Sequence, residues 1–163
     1  MSLLELMLVI AIGVLIGGGT FANTGLERAT AVAQHSAANL NLIGQKTAEL
    51  CDSTEGQCTG LTTGTVTLPT DYMPSMPTDP DATSPTAAAY QIALNTNAAD
   101  GTKCFTIEGV NSYPHDALLD VPNQNGAYNT ESATGAPGFL HYDSRQGLVY
   151  QTTGNTSPVA AGC

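Results

Sequence analysis

Residues 1–25 read MSLLELMLVIAIGVLIGGGTFANTG, and Glu5 is their only charged side chain. Residues 6–26 hold no ionisable side chain, and about 20 apolar residues of α-helix rise roughly 30 Å, the hydrocarbon thickness of a bilayer. The segment can therefore span a membrane. An ordinary anchor does not explain Glu5, because an unpaired carboxylate inside an apolar block is costly and marks a functional site in need of a partner. A signal peptide would show a basic n-region and a small-residue cleavage site after a shorter apolar core. Neither is present, so the segment is expected to remain part of the working protein.

Gly13, Gly17, Gly18 and Gly19 interrupt this run. Three consecutive glycines cost about 1 kcal/mol each relative to alanine, so a helix break is expected at Gly17, Gly18 and Gly19. The four-residue spacing of Gly13 and Gly17 equally suits close helix packing in a membrane. From residue 26 to residue 50 the pattern turns amphipathic, with Ala29, Val32, Ala33, Ser36, Ala37, Leu40, Ile43, Thr47 and Leu50 returning at three- or four-residue steps. If the two halves are continuous, the helix is roughly 70 Å long. That exceeds what a small domain can cover, and the apolar half needs lipid or other copies of itself.

After Cys51 the composition shifts to Thr, Ser, Gly, Pro, Asn and Asp, which ends the helix. Residues 61–69 are weakly strand-like, and the prolines of residues 71–85 predict an extended surface loop. Asp71, Asp79 and Asp81 in that loop lack the spacing and bidentate glutamate of a calcium loop, and are expected to be solvated acids. Residues 88–94 and 103–110 alternate as strands around an Asp100-Gly101 turn, residues 112–129 are irregular, and residues 138–152 form the clearest hairpin, turning at Asp143-Ser144-Arg145-Gln146. The expected architecture is α+β: a long N-terminal helix packed on three or four antiparallel strands. Its parts are an apolar helix over residues 1–25, an amphipathic half over 26–50, and a disulfide-stapled head over 51–163.

The formal net charge is −10, with only Arg28, Lys46, Lys103 and Arg145 positive, which disfavours nucleic-acid binding through a basic patch. Cys51, Cys58, Cys104 and Cys163 form no CxxC or Cys-His metal pattern, so disulfides and an oxidising compartment are expected, and no metal. Spacing suggests Cys51 with Cys58 and Cys104 with Cys163, one of the three connectivities that four cysteines allow. His35, His115 and His141 sit in no nucleophile or metal motif. The adjacency of His115 to Asp116, or of His141 to Ser144, does not build a catalytic constellation. No glycine-rich phosphate loop is present, so neither an enzyme nor a cofactor is expected. Asn155-Thr156-Ser157 matches a glycosylation sequon of low specificity.

The run Ser2-Leu3-Leu4-Glu5-Leu6-Met7-Leu8-Val9-Ile10-Ala11-Ile12-Gly13 closely resembles the mature N-terminus of type IV pilins, and the Met1 start is similar to the type IVb branch. The resemblance covers roughly the first 25 residues and implies a pilin fold. It implies a short basic leader cut before Met1 by a prepilin peptidase, a methylated α-amino group, and residence in the inner membrane before assembly into an extracellular pilus. Glu5 would then pair with the α-amino group of Met1 in a neighbouring identical subunit. Attraction in a low-dielectric bundle is strong, and stripping one partner leaves the other unpaired, a loss of about 3–5 kcal/mol. Cys104 and Cys163 would bound the family's variable surface region, the D-region. The family proline at position 22 is Ala22 here, which makes Gly17, Gly18 and Gly19 the substitute site of helix yielding. The expected role is a structural major pilin; a minor pilin, a type II secretion pseudopilin and a membrane-anchored surface binding module are the alternatives.

Overall fold

The structure, a computed structural model, describes residues 3–80, 89–119, 121 and 138–152, with side chains described for residues 25–80, 89–109, 112–114, 116–118, 121 and 138–148. One helix, α1 (Leu3–Ser53), precedes β1 (Gly64–Thr65), β2 (Gln91–Thr96), β3 (Lys103–Tyr113), a short α2 (His115–Leu119), β4 (Gly138–Asp143) and β5 (Gly147–Thr152). The five strands form one antiparallel sheet in sequence order. The arrangement is α+β, with one strand more than the upper expectation. The extra strand is the two-residue edge β1, held by Val66 N donating to Tyr90 O at 2.9 Å. Residues 112–129 were expected to be irregular, yet β3 runs to Tyr113 and α2 follows it. Ala117 and Leu118 are buried, which gives this short helix its packing face.

The amphipathic stripe of α1 lies where its periodicity puts it. Ala33, Ser36, Ala37, Leu40, Ile43, Thr47, Leu50 and Cys51 are buried, whereas Leu42 on the opposite side is 46 % exposed. Against this stripe the sheet turns Ile92, Phe105, Ile107, Leu140, Tyr142 and Leu148, all buried. Phe105 and Tyr142 stack across two strands with ring centroids 6.2 Å apart, within the range where aromatic pairs add to simple burial. Thr47, fully buried in mid-helix, satisfies its hydroxyl by donating to Ile43 O at 2.7 Å, so it presents only its methyl group to the core.

At Gly44 the α1 backbone lies directly against β4. A β-carbon there would collide with the ring of Tyr142, so the absence of a side chain is what lets the helix settle onto the sheet. Gly17, Gly18 and Gly19, where a helix break is expected, lie within the bounds of α1, which runs as one helix.

Gly44→Ala should destabilise the head by about 1–3 kcal/mol through overpacking, read as a lower denaturant midpoint with an unchanged slope. The exposed Leu42→Ala should change stability by no more than about 0.5 kcal/mol. Equal midpoints for Gly44→Ala and the parent chain would contradict the close seat.

Candidate functional site: the seat of the long helix

Two devices hold α1 in the head, and both are polar. The first caps its C-terminus. Thr54 Oγ1 donates to Leu50 O and Cys51 O at 3.1 Å each, Ser53 Oγ donates to Leu50 O at 2.8 Å, and Gly56 N donates to Cys51 O at 2.8 Å. Glu55 (φ 56°) and Gly56 (φ 76°) take left-handed backbone, which turns the chain back as helix C-caps commonly do. The Cys51–Cys58 disulfide closes this turn, as spacing suggested, with both cysteines buried. Gly56 O then accepts from Lys103 N at 2.8 Å, which ties the helix end to the start of β3.

The second device is a buried hydroxyl and carboxylate cluster midway along the seat. Asp79 is 3 % exposed and accepts from the Tyr113 hydroxyl at 3.3 Å. Ser36 Oγ and Tyr90 Oη are 3.4 Å apart, and Asn39 Nδ2 donates to Thr78 O at 3.1 Å. Helix, proline-rich loop and sheet are thereby joined. Asp79 reaches this position because β3 carries Gly109: a β-carbon there would lie 2.8 Å from Asp79 Oδ2. The β3–β4 register shifts between Glu108 and Ser112, around that same glycine. The expectation that Asp79 is a solvated loop acid is therefore wrong. Its loop is strapped down by the carboxylate, which accepts from the Tyr113 hydroxyl of β3. Asp71 is exposed as expected, and Asp81 lies outside the described residues. Among the described residues no His, Cys, Asp and Glu group could hold a metal ion.

Burial pushes the Tyr113 and Tyr90 hydroxyls above the ordinary tyrosine range, and the Asp79 charge adds to both shifts. On the sheet face turned away from α1, Cys104 and Thr106 are also buried. There Glu108 faces His141 across the β3–β4 register, and burial raises the Glu108 carboxyl and lowers the His141 imidazole, favouring the neutral form of each. As pH falls through the ordinary histidine range of about 6.5, the unfolded imidazole takes its proton before the folded one, so His141 removes stability on the acid side, whereas the raised Glu108 carboxyl works in the opposite direction.

The remaining expected site residues are distributed as follows. Glu5 lies in α1 at a position whose side chain is outside the described residues, and Met1 is outside them altogether. Cys104 is disulfide-bonded, and Cys163 lies outside the described residues, as does the sequon at Asn155. Among the described residues no helix is long and apolar enough to cross a membrane; the side chains of residues 6–24, most of the expected span, are outside them. Gly44, Gly109 and the Asp79 cluster were missed by sequence reasoning. The available signal was two glycines inside otherwise regular elements, a helix and a strand, where each marks a close approach. The chain matches no family model, no curated protein and no solved structure.

Tyr113→Phe removes the donor to a buried carboxylate and should cost about 1–3 kcal/mol at neutral pH. It should also lessen the alkaline loss of stability: above pH about 10 the unfolded tyrosine ionises while the folded one stays protonated, so stability falls as pH rises. Denaturant titrations of parent and variant at pH 7 and pH 10.5 check both; parallel pH dependence would contradict the burial of this hydroxyl.

Proposed function

We propose that this chain is a structural pilin subunit of the type IV kind, which polymerises into an extracellular filament with its N-terminal helices as the core and its heads outside. The observation that carries the reading is the disproportion of α1. The helix has 51 residues, which at 1.5 Å per residue is about 76 Å, yet among the residues whose side chains are described the stripe that the head buries runs from Ala33 to Cys51. The helix beyond that seat begins with the apolar run that contains Glu5.

Before assembly, that half resides in the inner membrane, where a prepilin peptidase has exposed the α-amino group of Met1. In the filament it leaves lipid for a bundle of identical helices, and Glu5 gains the Met1 amine of a neighbour as its counter-ion. A heterologous contact of this kind does not close, so it propagates as a fibre. Gly17, Gly18 and Gly19 are the proposed place where the helix lengthens as subunits pack, since glycine surrenders helix most readily.

Glu5→Gln and Glu5→Ala should leave the protein in the membrane fraction and reduce sheared filament yield by well over about tenfold, as expected when one partner of a buried ion pair is lost. Filaments in normal yield from either variant, seen by electron microscopy, would overturn the role given to Glu5. Monomeric or small-oligomeric material from the parent chain after gentle extraction would overturn the filament reading itself.

A further inference from the structure

Where α1 leaves the head, Gly25, Arg28, Ala29 and Val32 face Ser112 and Tyr113 at the end of β3 across a cleft of about 220 Å³. Gly25, Ala29 and Val32 continue the stripe of the seat at helical steps. The seat opens here, since a β-carbon on Gly25 would meet no atom within 4 Å. Arg28 is exposed, forms no ion pair among the described residues, and is the only lysine or arginine before Lys46.

Helix arithmetic sets the level of this cleft against a bilayer. Residues 6–26 carry no ionisable side chain, and that run of α1 is about 32 Å long, against a hydrocarbon core of about 30 Å. Arg28 lies about 3 Å past the end of the run, inside a headgroup layer roughly 5–7 Å deep on each side. The guanidinium, which takes phosphate through two parallel hydrogen bonds, and the Ser112 hydroxyl therefore meet where lipid phosphates lie.

Charge selects the headgroup. Arg28 is the only charged residue among those described in the lining. Glu27 precedes it and Asp116 stands in the first turn of α2, and both are exposed. One cation beside two acids, in a chain of net charge −10, disfavours a headgroup with net negative charge. A zwitterion answers both signs, with a phosphodiester for Arg28 and an ammonium for the acids. A primary ammonium brings three N–H donors to acceptor-only carboxylates, whereas a quaternary one brings none. The volume falls below the roughly 300 Å³ at which pockets for drug-sized ligands begin, so the cleft takes a headgroup and leaves the acyl chains along the apolar part of α1.

We propose that this cleft binds the headgroup of an ethanolamine phospholipid, its phosphate on Arg28 and Ser112 and its ammonium toward Glu27 and Asp116. The site rests on the membrane-resident stage of the filament reading, and its occupation sets the depth of the head on the bilayer until assembly withdraws the helix. Amide NMR spectra of the full chain in maltoside micelles at low salt, titrated with dihexanoyl phosphatidylethanolamine, should show saturable shifts centred on residues 25–32 and 112–113. Arg28→Gln, at an exposed position, should weaken that binding at least about tenfold, the loss expected for a charge-assisted hydrogen bond. Phosphatidylglycerol and phosphatidylcholine of the same chain length should bind more weakly, the first for its net charge and the second for its missing N–H donors. Free phosphoethanolamine, which has no acyl chains to lie along α1, should also bind more weakly. Absence of saturation, an unchanged affinity in Arg28→Gln, or equal or tighter binding of any of these three would overturn the proposal. Flotation with phosphatidylcholine vesicles separates the site from the reading beneath it, since parent and Arg28→Gln should both float through the apolar helix. A parent chain that does not float overturns the membrane stage and the site with it, whereas flotation without an Arg28 effect in the titration overturns the site alone.

Discussion

The close approach of α1 to the sheet at Gly44 and Tyr142 is the constraint on which the rest of the head depends. Packed interiors have little spare volume, so a helix that sits low on a sheet dictates what surrounds it. Small residues at Ala33, Ser36 and Ala37 extend the low seat toward the N-terminal side, and Leu40, Ile43 and Leu50 fill the space over Ile107, Phe105 and their neighbours. The α1 cap follows from the same requirement. A helix fixed this closely must end at a definite place, and Cys51, Thr54, Gly56 and the disulfide to Cys58 supply that end.

Around that seat the molecule keeps a polar centre that a purely apolar core would not need. Asp79 and Tyr113, with Ser36, Tyr90 and Asn39 beside them, tie together three pieces of chain far apart in sequence. A buried carboxylate is costly without hydrogen-bond donors, so the Tyr113 bond to Asp79 couples the position of the loop to that of β3.

Much of this architecture was legible because it rests on periodicity. The stripe from Val32 to Leu50 repeats at helical steps, Tyr90 and Ile92 alternate into the core, and Gly138 to Thr152 carries its own turn chemistry, so these elements lie where patterning puts them. What escaped depends on contacts between distant residues. Nothing local separates Asp79 from the exposed Asp71 of the same loop; the difference arises from Gly109, thirty residues later, which makes room for a carboxylate. The β3 extension to Tyr113 escaped for a related reason, since its irregular register at Glu108 and Ser112 breaks the alternation that a strand normally shows. The cleft beside Arg28 joins a helix face to the end of a strand, which only the fold brings together.

On the proposed filament reading α1 is one element with two uses, a spine for the head along its C-terminal part and an assembly element along its apolar part. The central claim of that reading is that Glu5 finds its counter-ion on another copy of the chain. Helical reconstruction of filaments purified from the parent protein tests this most directly. The account predicts density for the Glu5 carboxylate within about 4 Å of a neighbouring subunit's Met1 nitrogen, ion-pair distance, with the heads on the outside. A filament in which Glu5 faces solvent or lipid, or in which subunits touch only through their heads, would contradict it.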